Sequence, residues 1–371
     1  MLRGNIVAVF DLGSSSIKAA AGVYRKNGSI KKMAVVAVSA KGIKNGLVTD
    51  LDLAAQCLLA AKDELAKQLD QPLEKAWIGI SGGTVISCAG RGCITVAGPD
   101  NEVDEFDLRR VAIATEIDAL PQRREALHII PLEYLIDGRV QTTNPRGLFG
   151  HELVLSAVVI AAELVQTQNI LRLARRAGLQ VDGLLYTPLI AASALLSSRE
   201  KVNGAAYIDI GAEACDVVLF RNGNAHAVRV LPYGGRIIDQ DIAYGFKVSP
   251  AEAEQLKQSL PAGMTAAETA FLNEIIGARI TEYLEMVLSD PKSLSGLVFA
   301  GGTSRWPGLT AIAQEFAGCP CRTITGATVS IAGYCLDTML AELFQYCLAQ
   351  SARNKYNGER FNRLRSWLTG H

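Results

Sequence analysis

Two stretches of this sequence set the same polar residues between apolar runs. In "VAVFDLGSSSIKAAAG", Asp11 ends a strand, Gly13 suits a tight turn, and Ser14, Ser15 and Ser16 precede Lys18. "YIDIGAEACDVVLF", from Tyr207 to Phe220, repeats the plan with Asp209 and Gly211. Successive serine N–H groups after a glycine turn can form a nest for an anion, with hydroxyls beside it. Asp11 and Asp209 at strand ends suit a hydrated Mg2+, which prefers one or two carboxylates and several waters. Lys18 can reach a phosphate as a point charge. This is chemistry for holding a phosphate chain, and no side chain is nominated as catalytic.

Two glycine pairs add to the pattern. "VFAGGTSRWPGLTAIAQEF" places Gly301 and Gly302 at a strand end just before a helix expected near Pro307, and "LPYGGRIIDQDIA" repeats the device with Gly234 and Gly235. Such junctions let a backbone pass close to a ligand. Singly, each hairpin and each glycine pair reads as an ordinary turn. Together, in this order and separated by helical blocks, they point to two related halves facing a cleft.

The elements that must position these loops alternate. Strand-like runs such as "NIVAVFDL" and "KAWIGISGG" interleave with helical stretches such as "DLDLAAQCLLAAKDELAKQL", where Leu53, Cys57, Leu58 and Ala61 are expected to share a face. This is α/β patterning. Residues 82 to 161 have their own order: strand material, a helix announced by Asp104 and carrying Leu108, Val111 and Ala112, then "ALHIIPLEYLIDG" and "HELVLSAVVIAA". They read as an inserted domain. Two helices around a strand follow, then the second hairpin, then a helix-rich stretch from 245 to about 290 in which Ser249 and Pro250 open a helix.

At 371 residues and 49% hydrophobic content, the chain suits two or three folded domains and is no disordered polymer. Thirty-seven basic residues balance 37 acidic ones, so no global field calls for nucleic acid. The eight cysteines include no C-x-x-C pair, which supports neither a zinc site nor a disulfide framework. With no signal core and no apolar run of roughly 18 residues, the body is expected to be soluble and cytoplasmic.

With these loops in order, the chain resembles the actin, sugar-kinase and chaperone ATPase superfamily, and within it the FtsA family of bacterial cell-division proteins. "DLGSSSIK" and "DIGAEACD" look like its two phosphate loops, and "FAGGTSRWPGL" like its adenosine loop. The family-specific likeness lies in "KGIKNGLVTDLD", "WIGISGG", "RRAGLQVDGLLYTPLIAASALL", "SPAEAEQLK" and above all "HIIPLEYLIDG". The resemblance implies a two-lobed, actin-like (ribonuclease H-like) α/β fold. Lobe 1 would comprise 1–81 and 162–200, the FtsA-type insert 82–161, and lobe 2 residues 201–350 with a helical subdomain at about 245–290 and an end returning to lobe 1. It also implies ATP and Mg2+ as cofactors, with Glu254 and Lys257 near the ribose and adenine. Partners implied are the tail of the tubulin-like division protein FtsZ, further copies of the chain in actin-like filaments, and other divisome proteins. Arg279 in "EIIGARITEYLE" matches a family arginine where the FtsZ tail docks.

The second loop departs from the family's Asp-Ile-Gly-Gly-Gly-Thr-Thr-Asp. Ala212 and Glu213 replace glycines, and two hydroxyls are gone. A left-handed Ala212 would cost about 1 kcal/mol, and Glu213 would bring a carboxylate near the phosphates. At most a weak ATPase is expected. "TGATVSIAGYCLDTMLAELFQYCLA" is only a loose match to the segment that closes the family's fold.

"ERFNRLRSWLTGH" ends the chain beyond a polar linker at 351–358. On a helix, Phe361, Leu364, Trp367 and Leu368 fall within about 120° of arc, flanked by Arg363 and Arg365. Such a face suits an anionic lipid surface, and residues 359–371 are too short to span one. The expected location is therefore peripheral, on the cytoplasmic face of the inner membrane at the division septum. The competing readings are a small-molecule kinase of the superfamily, for which no catalytic aspartate stands out, and a PilM-like pilus-assembly scaffold, which also uses a "DxGSSSxK" loop.

Overall fold

The computed structural model describes residues 5–25, 29–98, 100–258, 264–324, 328–331 and 334–354. The expected terminal helix, residues 359–371, lies outside them.

The first lobe opens with β1 (Asn5–Leu12), β2 (Ser16–Tyr24) and β3 (Ile30–Ser39), an antiparallel meander. A small hairpin of β4 (Ile43–Lys44) and β5 (Leu47–Val48) leads into α1 (Leu51–Leu69) and then β6 (Lys75–Ile80), which joins β1 in parallel. Asp50 caps α1 by accepting from the N–H groups of Asp52 and Leu53. The buried row of α1 is Ala54, Leu58, Ala61 and Leu65, at helical spacing. Leu53, expected on that face, is 41% exposed because it lies one residue, about 100°, away from the row set by packing on the sheet.

Residues of β1 alternate between two cores. Ala8, Phe10 and Leu12 face α1, whereas Val7 and Val9 face the opposite layer. A sheet covered on both faces explains why "VAVF" reads as a continuous apolar run.

The insert comprises β7 (Ile86–Thr95), α2 (Glu105–Ala119), β8 (Arg124–Ile136), β9 (Val140–Thr142) and β10 (Glu152–Glu163), with strand order β7-β10-β8-β9. Asp104 and Asp107 form a reciprocal capping box at the start of α2. Leu108, Val111 and Ala112 pack on the sheet, as their spacing requires. The chain returns through α3 (Leu164–Arg176), β11 (Gln180–Tyr186), α4 (Thr187–Leu195) and α5 (Ser198–Asn203), with β11 completing the first sheet beside β6.

The second lobe has β12 (Ala205–Ile210), β13 (Cys215–Arg221) and β14 (Asn224–Leu231), then α6 (Gly235–Phe246), α7 (Pro250–Gln258) and α8 (Ala266–Val287). It continues with β15 (Gly296–Ala300), α9 (Leu309–Ala317) and β16 (Cys321–Thr323). A final hairpin, β17 (Thr328–Ile331) and β18 (Tyr334–Asp337), feeds α10 (Thr338–Asn354). Leu340, Leu343, Phe344 and Cys347 of α10 pack with Val7, Val9 and Trp77, so the last described helix covers the outer face of the first sheet.

The two large sheets are built alike. The orders β3-β2-β1-β6-β11 and β14-β13-β12-β15-β16 match strand for strand, with a three-stranded antiparallel meander followed by two parallel additions. The lobes also share a core. Ala205 and Tyr207 from β12 join the cluster that holds Phe10 and Ile78, while Ala206, Ile208 and Ile210 face the helices of their own lobe. The cleft between the hairpins is therefore floored by continuous packing, which holds the two phosphate-type turns at a fixed separation.

Candidate nucleotide cleft

Equivalent strands bring equivalent positions to the cleft. The β1–β2 register sets Asp11 opposite Lys18, and the β12–β13 register sets Asp209 opposite Asp216. Both turns open into one cavity of about 440 Å3, a size suited to a small-molecule ligand. From the first turn it receives Asp11, Gly13, Ser14, Ser15, Ser16 and Lys18, and from the second Asp209 and Gly211. Gly235, Glu254 and Lys257 close one side, and Gly301 and Gly302 another. Residues separated by nearly 300 positions thus converge on one void.

Gly234 stands behind that wall. A methyl group there would come within 2.6 Å of the Gly211 carbonyl, and its own carbonyl accepts from the Tyr283 hydroxyl at 2.9 Å. The N–H groups of Gly235 and Arg236, at the start of α6, donate to the carbonyls of Gly211 and Ala212, each at 2.8 Å. The helix start is spent on bracing the second turn.

The Gly301–Gly302 turn requires glycine for a steric reason. Gly301 has φ +84°, and a Cβ there would lie 2.3 Å from the Ile210 carbonyl and 2.4 Å from Asp209 Oδ1. Gly302 meets nothing within 4 Å. The segment Gly302–Arg305 forms a short 3-10 turn before α9, so the full helix begins at Leu309, slightly later than expected from Pro307.

The acidic groups at the base of the cleft repel one another. Burial, Asp216 and Asp11 push the Asp209 carboxyl up to about 8, and burial pushes Asp216 up to about 6. Burial also raises Asp11, against the opposing pull of Lys18 and a 2.8 Å hydrogen bond from Thr187 Oγ1. Lys18 itself is paired with Asp337 at 3.2 Å. Among the described residues no set of three or more His, Cys, Asp or Glu side chains is arranged to hold an ion directly. Two carboxylates opening on a roomy polar cavity fit instead a cation that keeps most of its waters.

Asp216 is the tie between lobes. It accepts from the Gly82 N–H at 2.8 Å, where the first lobe passes into the insert, and from the Tyr186 hydroxyl of the first lobe at 2.7 Å. The Tyr186 N–H in turn donates to His128 Nε2 at 2.9 Å, and burial lowers that imidazole to about 4, leaving it neutral and able to accept.

Sequence reasoning missed Tyr186, Thr187, Asp216 and Asp337. The first two stand in the "LLYTPLI" stretch, where a strand stops at a Thr-Pro helix start, and Asp216 closes the second turn. Their roles depend on which strands become neighbours, and local spacing carries no such information.

Two expectations about the second turn change. Ala212 has no positive φ, so the left-handed strain does not arise, because the Ala214 carbonyl closes the turn on the Gly211 N–H at 2.9 Å. Glu213 does reach the cavity, but its carboxylate is held by the Asn45 N–H at 2.8 Å and by the Arg236 guanidinium.

Glu254 accepts from the Gln258 amide at 3.1 Å, and Lys257 Nζ lies 2.6 Å from Asp239 and 2.9 Å from the Gly235 carbonyl. Arg279 stands on α8, away from the cleft. It makes a forked pair with Asp241, at 2.7 and 3.0 Å, and a further contact with Glu282 at 2.5 Å. The residues named for lipid contact, from Phe361 to Leu368, lie outside the described residues.

Comparison with known proteins agrees with this architecture. The family model "Cell division protein FtsA" matches residues 206–344, and "SHS2 domain inserted in FTSA" matches residues 82–161. The cell division protein FtsA of Bacillus subtilis is 29% identical over 341 residues, covering 85% of this chain and 77% of that one. Escherichia coli FtsA is 25% identical over 345 residues, covering 84% and 81%. Among solved structures, a chain of the PilM–PilN type IV pilus biogenesis complex superposes with a TM-score of 0.57 at 19% identity, covering 93% of this chain and 97% of that one. Spiroplasma citri MreB5 bound to AMPPNP gives 0.55 at 12% identity, covering 96% and 100%. These likenesses establish the actin-like fold, and no helix among the described residues is long and apolar enough to cross a membrane. With the fold, the insert and most of its length in common with these proteins, the chain belongs to the FtsA family of cell-division proteins.

Proposed function

We propose that this protein is an actin-like adaptor that binds an adenine nucleotide with Mg2+ in the cleft and tethers FtsZ to the cytoplasmic membrane during division. The observation that carries the nucleotide reading is the convergence of the Asp11–Lys18 turn, the Asp209–Asp216 turn and the Gly301–Gly302 turn on one cavity. The solved relative bound to AMPPNP has the same fold and supports the same reading.

In this reading the N–H groups and hydroxyls of Ser14, Ser15 and Ser16 bind the phosphates, and Gly301 and Gly302 let the backbone pass beside the nucleoside. Asp11 and Asp209 would hold the cation through its waters, and the cation would neutralise phosphate charge. Lys18 is shared between Asp337 and the phosphate chain. Glu254 and Lys257 border the ribose and adenine side. Hydrolysis is weak at most, since the second turn brings the Glu213 carboxylate into the cavity where the phosphates would lie.

The adaptor reading adds three contacts. The FtsZ tail, an acidic segment, docks on the α6–α8 face that carries Arg279. Copies of the chain assemble into filaments. Residues 359–371, with Phe361, Leu364, Trp367 and Leu368 toward lipid and Arg363 and Arg365 toward its phosphates, attach the body peripherally at the septum. One such segment is a weak anchor, and many in a polymer make a firm one. Co-sedimentation of FtsZ with anionic liposomes tests this: recruitment by the intact chain that is lost on deleting residues 359–371 supports the tether, and equal recruitment without them rejects it.

A further inference from the structure

The phosphate end of the cleft already contains an anion that belongs to the protein. Glu213, in the turn between β12 and β13, reaches across to the opposite lobe, where the Asn45 N–H donates to Oε2 at 2.8 Å. Its other oxygen is paired with Arg236 in the first turn of α6. Asn45 and Gly46 both adopt positive φ, at 50° and 74°, in the tight β4–β5 turn. The next N–H, that of Gly46, donates to Ser14 Oγ in the first phosphate-type turn at 3.2 Å. Consecutive N–H groups in such a turn make a concave seat for negative charge. Here Glu213 takes the first of these N–H groups and Ser14 the second, so its carboxylate sits beside the serines expected to hold phosphate.

Its position is constrained. The Glu213 side chain is 10% exposed, whereas that of Arg236 is 53% exposed. The carboxylate therefore sits in the less screened environment, and its counter-charge sits largely in water. Swinging Glu213 away would leave the Asn45 N–H without its acceptor in a partly buried place, which opposes the movement. Glu213, Ser14, Gly46 and Arg236 all line the same cavity.

We propose that Glu213 sets the cleft's choice between nucleoside diphosphate and nucleoside triphosphate. Its fixed charge opposes the added charge of a terminal phosphate, so the diphosphate is held more tightly. This rests on the nucleotide reading above and adds to it which phosphate state the site prefers.

The test is equilibrium titration of the full chain with Mg·ADP and with Mg·AMPPNP, a triphosphate analogue that resists hydrolysis, for the parent, Glu213→Gln and Glu213→Asp. Gln keeps an acceptor for Asn45 while removing the charge, and Asp keeps the charge. Expected is tighter ADP than AMPPNP binding by the parent, a preference reduced about tenfold in Glu213→Gln through better AMPPNP binding, and a preference retained in Glu213→Asp. Tighter AMPPNP than ADP binding by the parent overturns the proposal without recourse to a variant. An unchanged ratio in Glu213→Gln, or equal weakening of both ligands, also overturns it, the latter assigning Glu213 a purely structural role. Failure of all three chains to bind either ligand defeats the nucleotide reading itself.

Discussion

The Tyr186 hydroxyl donates to the Asp216 carboxylate at 2.7 Å, joining the end of a first-lobe strand to the hairpin of the second lobe. The adjacent residue, Thr187, donates to Asp11 at 2.8 Å, so one dipeptide touches an acidic group from each phosphate-type turn. The relative position of the two turns is set at this junction. Tyr186→Phe removes one of the two donors seen on a fully buried acid, and a loss of about 1–3 kcal/mol is expected in denaturant unfolding. A change below 0.5 kcal/mol would show that the contact adds nothing to holding the lobes.

The carboxyl groups facing the cleft make stability depend on pH. Asp209 is raised from 3.8 to about 8 and Asp216 from 3.8 to about 6, so across that range the folded chain holds more protons than the unfolded one. Stability therefore falls as pH rises through this window. Melting of the nucleotide-free protein should drop between pH 5.5 and 8.5, and Asp209→Asn should flatten the slope. Mg2+ should restore part of the loss at the upper end. A melting temperature that rises over that range contradicts the electrostatic reading.

Neighbouring glycines separate backbone need from ligand space. Gly301→Ala forces a side chain into a conformation and a gap that exclude it, and a loss of about 1–3 kcal/mol is expected on backbone grounds alone. Gly302→Ala meets no protein atom within 4 Å, so melting should be unchanged while nucleotide affinity falls as the methyl group enters the cavity. Equal melting curves for both variants would refute the assignment.

Arg279 is held by half-buried Asp241 and by exposed Glu282, a surface network worth about 0–1 kcal/mol to stability. An acidic peptide must share or displace those partners. Arg279→Ala should weaken binding of an FtsZ-tail peptide, and Asp241→Asn, which frees the fork, should strengthen it. Fluorescence anisotropy with the labelled peptide checks both, and identical affinities for the two variants and the parent would remove Arg279 from the docking surface.

The hairpins, the glycine pairs and the cap at Asp104 could be read in advance because each is a local pattern: strand, turn and cap chemistry all lie within a few residues. Leu53 was misplaced by the same local reasoning, since two adjacent stripes on α1 were both apolar and only the sheet beneath selected Ala54, Leu58, Ala61 and Leu65. The acidic cluster lay beyond reach for a different reason. Asp216, Tyr186 and Gly82 are far apart in sequence, and what joins them is the pairing of β6 with β11 together with the packing of the two lobes on one shared core. The restraint on Glu213 likewise depends on the β4–β5 turn, the two residues Asn45 and Gly46, whose importance lies in where they are placed.

Binding of a fluorescent adenine nucleotide, titrated with and without Mg2+ against the parent chain and Asp11→Asn, addresses the cleft most directly. Saturable binding that strengthens with Mg2+ in the parent and loses that enhancement in Asp11→Asn is the expected result. No binding, or binding indifferent to both Mg2+ and Asp11, would contradict the assignment of this cavity to a metal-bound nucleotide.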